Sequence, residues 1–214
     1  MKILEQLEHL EYLEQLPSQV VEGPSQLAMG RPVVPESAAY KLVKIEGKGR
    51  GLVATRNLEV GDLVVSEKAF LKLPNQLLPS PSYETMLRSS ETMSGLQPDL
   101  RAKLMKLSCP ADAILEDESQ ILCFKFMANR ISIGNKSNES AVFEVISMIN
   151  HSCKPNVAWF TKEEDEMQKE VRVCRKIMEG EEIVASYVNL GELPLRQQRQ
   201  ELLRPWAFEC RYDH

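Results

Sequence analysis

Asn150-His151-Ser152-Cys153-Lys154-Pro155-Asn156 is the stretch on which the reading of this chain turns. It concentrates hydrogen-bonding side chains, a thiol and a proline that biases Lys154 away from helix, so the chain must turn here. The apolar run Val142-Phe143-Glu144-Val145-Ile146-Ser147-Met148-Ile149 precedes it and reads as buried. The polar cluster is therefore expected at the end of a core element, where a rigid scaffold can hold a ligand. Two readings fit the spacing: a ligand site, or an Asx-type turn whose side chains satisfy their own backbone. One His and one Cys two residues apart fall short of a metal site, which needs about four ligands.

Upstream, Tyr40-Lys41-Leu42-Val43-Lys44-Ile45 is strand-like and runs into Glu46-Gly47-Lys48-Gly49-Arg50-Gly51-Leu52. Alternating glycines let the backbone turn sharply and approach a ligand closely, while Lys48 and Arg50 present positive charge. The loop is not a phosphate-binding P-loop, because the spacing differs and no Lys-Ser/Thr pair opens a helix. It is not the dinucleotide fingerprint either, since Val53-Ala54-Thr55 continues as strand. Taken alone, a basic glycine hairpin is simply a turn. Downstream lies Ala185-Ser186-Tyr187-Val188-Asn189, and a strand tyrosine taken alone packs in a core with its hydroxyl at the edge.

Together and in this order, the three motifs resemble SET domains, the S-adenosylmethionine-dependent protein lysine methyltransferases, over about residues 40 to 210. The resemblance is nearest to the SET–MYND type. It implies an α+β fold of several short β-sheets with a helical insert, in which the C-terminal segment threads beneath a loop as a pseudoknot. It also implies that Lys48, Gly49 and Arg50 hold the carboxylate end of S-adenosylmethionine, a physically sensible use of charge-assisted bonds. Asn150 and His151 would complete that pocket, with Phe208 covering it. Tyr187 would be the catalytic residue beside the transferred methyl, and with Trp206 would wall the substrate channel. Asn129-Arg130-Ile131-Ser132-Ile133-Gly134-Asn135 is similar to a SET–MYND segment whose terminal Asn contacts the cofactor. The alternative for Asn135 is a buried Asn bonding the local backbone.

Two departures from the pattern stand out. Cys109 and Cys123 alone cannot build a zinc-binding MYND finger. In the tail, relatives read aromatic-x-Phe-x-Cys-x-Cys-x-x-Cys, whose cysteines hold zinc with the cysteine of the signature. This sequence has Cys153 and Cys210, but Tyr212 takes the second position and His214 is the last residue, so no metal site is expected. Trp206 also stands where many relatives carry a second tyrosine hydroxyl.

Composition bounds the rest. Apolar content of 43% and charged content of 27% are ordinary for a globular protein. No apolar run approaches a membrane span, and no basic-then-apolar leader opens the sequence. Five scattered cysteines do not form a disulfide framework, which points to nucleus or cytoplasm. A net charge of −5 argues against direct nucleic-acid binding and suits a basic protein or peptide substrate. Residues 1–39 read as an acidic amphipathic helix followed by a proline-punctuated linker, too short for a dimerising coil, so a monomer is expected. Residues 40–190 read as the main domain, with helical periodicity over about 76–128 and Pro98 at a helix start. Residues 157–174 read as a hairpin with a solvated acidic tip, Glu163-Glu164-Asp165-Glu166. Residues 191–214 carry a polar helix from Pro194 and the short tail. Leu58–Val65 and Met178–Val184 are similar turn-strand units without a repeat between them. The function expected is lysine methylation of proteins. A regulatory protein that binds the cofactor without turnover, and methylation of a small-molecule amine, are the alternatives.

Overall fold

The structure, a computed structural model, describes residues 37–74, 92–109, 117–133, 139–188, 195–206 and 208–210. The N-terminal helix and linker, Asn135, Pro194, Tyr212 and His214 lie outside the described residues. Strands β1 (Tyr40–Ile45) and β2 (Gly49–Ala54) form the hairpin read around the glycine loop. Gly47 and Gly49 take positive φ at its turn, the conformation that glycine alone adopts at no steric cost. Next come β3 (Leu63–Lys68), β4 (Leu71–Pro74), helix α1 (Pro98–Met105) and helix α2 (Glu118–Asn129). Pro98 does stand in the first turn of α1, and the Asp117 carboxylate caps α2 by accepting from Gln120 N–H at 2.9 Å. Strands β5 (Ile131–Ser132), β6 (Glu139–Val142), β7 (Asn150–His151), β8 (Val157–Lys162), β9 (Asp165–Val173) and β10 (Glu182–Ala185) follow, then helix α3 (Arg196–Leu203).

The strands make three small sheets: β1-β2-β10-β7, β3-β9-β8 and β4-β6-β5. With the helices set between them, this is the α+β arrangement expected of a SET fold. The decisive pairing is β7 with β10, which run parallel, with Asn150 opposite Val184 and His151 opposite Ala185. It lays the signature alongside the strand that leads into Tyr187. The core beneath is continuous, with Phe126, Phe143, Leu52, Leu58 and Ile149 among its fully buried side chains. A smaller cluster joins Leu203 of α3 to Cys153 and Cys210, with Tyr187 and Trp206 packed on it.

Two sequence expectations take a different form, and a third gains a contact. The run 142–149 is buried as expected but is not one element. β6 stops at Val142, and a bend leads into a 3-10 turn over Ile146–Met148. The Glu67 carboxylate fixes that bend by accepting from the consecutive amides of Glu144 (2.6 Å), Val145 (3.1 Å) and Ile146 (2.9 Å). The acidic tip is shorter than read, because Asp165 and Glu166 already belong to β9 and Asp165 pairs with Lys68 at 2.7 Å. The two turn-strand units bond each other, with Leu58 and Ile177 exchanging N–H···O bonds at 2.9 and 3.0 Å. Among the described residues no helix is long and apolar enough to cross a membrane.

Candidate active site

The signature divides its labour. Ser152 makes the local turn, its hydroxyl accepting from Lys154 N–H at 3.0 Å. Asn156, with no exposed surface, is a cross-link: Oδ1 accepts from Val184 N–H and Nδ2 donates to the Glu182 carbonyl, both at 2.8 Å. These two residues follow the self-satisfying reading in spirit, although the partners of Asn156 sit on a strand nearly thirty residues away. Asn150 and His151 line a cavity together with Ser152, Lys154 and Asn156, while Cys153 is buried in the cluster with Leu203 and Cys210.

That cavity, of about 1040 Å³, brings together Lys48, Arg50, Asn150, His151, Tyr187, Trp206 and Phe208. Every site residue predicted from the sequence that the structure describes is therefore at one place, Gly49 in the adjoining turn included. Lys48 pairs with Glu182 at 2.6 Å, and Asn150 Nδ2 donates to the same carboxylate at 2.9 Å and to the Arg50 carbonyl at 3.1 Å. The Arg50 guanidinium donates to the Lys106 carbonyl and to Ser108 Oγ, so the segment after α1 is tied to the glycine loop and walls the cavity. Gly51 serves a different end from its neighbours. A Cβ there would lie 2.5 Å from Asn150 Nδ2 and from Ile45 Cδ1, so glycine is what lets the Asn150 amide reach the strand. Phe208 is 37% exposed and lines the cavity, with its ring 5.7 Å from that of His151.

Tyr187 is held at three points. Its amide donates to His151 Nδ1 at 3.0 Å, its hydroxyl donates to the Ile149 carbonyl at 2.7 Å, and its ring stands 5.2 Å from that of Trp206. Burial, and then the Glu182 carboxylate, push its phenol well above the ordinary tyrosine range. It is a neutral phenol near neutral pH and no base. With its proton committed to Ile149, its oxygen lone pairs remain for a donor. Trp206 Nε1 donates to the Ala128 carbonyl at 2.8 Å. A second cavity, of about 430 Å³, adjoins the first, lined by Arg130, Ile131, Ile146, Ile149 and Trp159 among others. Tyr187 and Trp206 line both spaces.

Beneath the larger cavity, His151, Cys153 and Cys210 place their donor atoms within 4.8 Å of one another, all buried. His151 as a neighbour of the two thiols was not foreseen, since only their folding together reveals it. The described set does not fit a zinc ion. Because Nδ1 accepts from Tyr187 N–H, the neutral ring carries its proton on Nε2, aimed at Cys153 Sγ at 3.2 Å. A metal-bound histidine instead donates through its other nitrogen, so coordination through Nε2 would strip both nitrogens of protons. Burial pushes the Cys153 thiol up, with neighbouring Cys210 adding to it against Arg199, which disfavours the thiolate a metal needs. Two thiols fall short of the four ligands of a closed site. Cys210 is fixed instead by Gln200 of α3, whose amide donates to the Cys210 carbonyl at 2.7 Å and accepts from its N–H at 3.2 Å.

His151 itself is pushed down to about 4, first by burial and then by the charges of Lys48 and Arg199, so it is neutral at physiological pH. Sequence reading missed Glu67, Glu182, Gln200 and Arg130. Glu67 and Gln200 stand in no motif, Glu182 and Arg130 stand in segments that assign them no role, and the partners of Glu67 and Glu182 are distant in sequence.

The family model for the SET domain matches residues 49–188. A histone-lysine N-methyltransferase ATXR2 of Arabidopsis thaliana is 40% identical over 73 residues, covering 34% of this chain and 15% of that protein. The histone-lysine N-methyltransferase set5 of Schizosaccharomyces pombe is 25% identical over 177 residues, covering 82% of this chain and 50% of that protein. A SET and MYND domain-containing protein of Dictyostelium discoideum is 30% identical over 117 residues, covering 50% and 22%. The chain thus spans half or less of the length of these curated relatives. A solved structure from Plasmodium falciparum aligns with a TM-score of 0.41 and 11% identity over 71% of this chain and 95% of that one, a likeness too distant to build on.

Proposed function

Because this chain belongs to the SET-domain family, we propose that it is an S-adenosylmethionine-dependent methyltransferase acting on lysine side chains of proteins. The observation that carries this reading is the wall of Tyr187 and Trp206 shared by a larger cavity and a smaller one. Reaction across such a wall needs two partners aligned at close approach, and alignment is the main source of rate for an in-line displacement.

The larger cavity fits the cofactor by its chemistry. It offers Lys48 and Arg50 to a carboxylate, Glu182 and the Asn150 amide to an amino group, and the rings of His151 and Phe208 to an apolar body. Asn135 is assigned to the same cofactor on the SET–MYND resemblance. When bound, S-adenosylmethionine supplies an electrophilic methyl group on a sulfonium. In the smaller cavity Ile131, Ile146 and Ile149 stand with the Arg130 cation, and desolvation and that charge both favour the neutral form of an amine. The Tyr187 oxygen then accepts from that amine and aims its lone pair. Neither Tyr187 nor His151 takes a proton: the first is held as phenol, and both nitrogens of the second are already engaged. A protein substrate, a monomer and a nuclear or cytoplasmic site of action belong to this reading.

Titration calorimetry with S-adenosylmethionine and its demethylated product tests it, alongside transfer of labelled methyl to histones and cell extract. Binding of both is expected. The double variant Lys48→Ala, Arg50→Ala should weaken binding by roughly tenfold or more, the worth of a lost charge-assisted bond. A folded protein that binds neither compound would overturn the proposal.

A further inference from the structure

The smaller cavity contains one feature that methyl transfer does not use. Arg130, at the C-terminal end of α2, is the one charged residue among the described residues lining it. The guanidinium is partly withdrawn from water, and burial lowers its pKa from the ordinary value. Its described contact is the Met127 thioether, a weak acceptor. Among the described residues no carboxylate pairs with it, whereas Lys48, Lys68, Lys72, Lys103 and Arg172 all have one. A half-buried cation without a counter-charge is costly, and a planar guanidinium is shaped to take a carboxylate with two bonds.

The cavity is open, so the missing group can arrive with the substrate. We propose that Arg130 selects the protein substrate by pairing with a carboxylate beside the target lysine. This rests on the reading of the smaller cavity as the amine side of a methyltransferase. A space of about 430 Å³ is roughly 9 Å across if taken as a sphere, the span of about three extended residues at ~3.3 Å each. The acidic residue therefore lies within about two positions of the lysine. The net charge of −5 attracts basic proteins from a distance, whereas Arg130 acts on contact. The two together describe a lysine in a basic protein that has an acidic immediate neighbour.

Fluorescence anisotropy with labelled nine-residue peptides, each with a central lysine flanked by Glu, Gln or Arg, tests this on the full chain loaded with demethylated cofactor. The Glu-flanked peptide should bind about tenfold tighter than the Arg-flanked one, the size of one charge-assisted bond. Arg130→Gln should reduce the ratio to below about twofold, Arg130→Glu should invert it, and Arg130→Lys should keep its sign. Cofactor affinity and melting temperature report that each variant is folded, and the wild-type ratio needs no variant at all. Equal binding by wild type, or a preference that survives Arg130→Gln, overturns the proposal. Transfer measured on the same peptides separates the two ideas. Methylation without charge preference overturns the role of Arg130 alone, and charge preference without methylation overturns the enzymatic reading alone.

Discussion

Asn156→Ala removes the side chain that ties the signature to β10, and its cost can be worked out bond by bond. The Asn156 main chain is unaffected: its N–H donates to the Val184 carbonyl at 3.0 Å and its carbonyl accepts from Cys174 N–H at 2.9 Å. Two short side-chain bonds are lost, from Val184 N–H at 2.8 Å and to the Glu182 carbonyl at 2.8 Å, with a longer one to Glu181 Oε1 at 3.4 Å. Val184 is buried, so its amide is left without a partner or nearby water. An unsatisfied buried donor costs about 1–3 kcal/mol and the second bond about 1 kcal/mol, for a total of roughly 2–4 kcal/mol. Urea unfolding followed by circular dichroism should show this as a lower midpoint with an unchanged slope. Asn156→Asp sharpens the test because it keeps size and acceptor while losing the donor. At neutral pH it sets a carboxylate against the Glu182 carbonyl and near Glu181 Oε1, which lies 3.4 Å from the present amide nitrogen. Asn156→Asp should be at least as damaging as Asn156→Ala at pH 7. It should recover relative to Asn156→Ala as pH falls and the acid regains a proton to donate. Asn156→Ala within about 0.5 kcal/mol of wild type would refute the cross-link, since that is the ordinary scatter of surface substitutions.

Tyr187→Phe keeps the ring against Trp206 and His151 but deletes the hydroxyl. Cofactor affinity should hold while turnover falls about ten- to a thousandfold, as for a lost transition-state hydrogen bond, and single-turnover transfer kinetics check this. Trp206 cannot stand in, because indole donates but does not accept. Acid should weaken the fold through His151, whose folded pKa of about 4 lies below its ordinary 6.5. The unfolded chain binds the extra proton in that window, so this contribution is fully present above about pH 6.5 and is lost as pH falls toward 4. Melting temperatures across the window should fall more steeply for wild type than for His151→Gln, and equal slopes would show that His151 is not the group responsible.

The sequence determined by itself whatever depends on local backbone demands and on residue order. Glycines at 47 and 49 mark a turn needing positive φ, Pro98 marks a helix start, and the acidic tip between two apolar segments marks the β8–β9 hairpin. The order of glycine loop, signature and tyrosine was enough to expect an α+β SET fold, and the family match over 49–188 agrees. It was enough, too, to name Lys48, Arg50, Asn150, His151, Tyr187, Trp206 and Phe208, which the fold gathers around one cavity. Tertiary structure alone decided which partner each group meets. Gly51 looks like its neighbours in the sequence, yet it is required by an Asn150 side chain approaching from a strand about a hundred residues later. His151 meets the two cysteines only in the fold, where the backbone amide of Tyr187 occupies its Nδ1 and sets the tautomer of its ring. Glu67 belongs to no motif and Arg130 to one that assigns it no role, and their meaning lies in consecutive amides that the one satisfies and a cavity where, among the described residues, no carboxylate meets the other. Spacing along a chain records what the backbone must do locally. Partners and desolvation are fixed only when β7 comes to lie beside β10, because charge and hydrogen-bond energies depend on separation in space and on access to water.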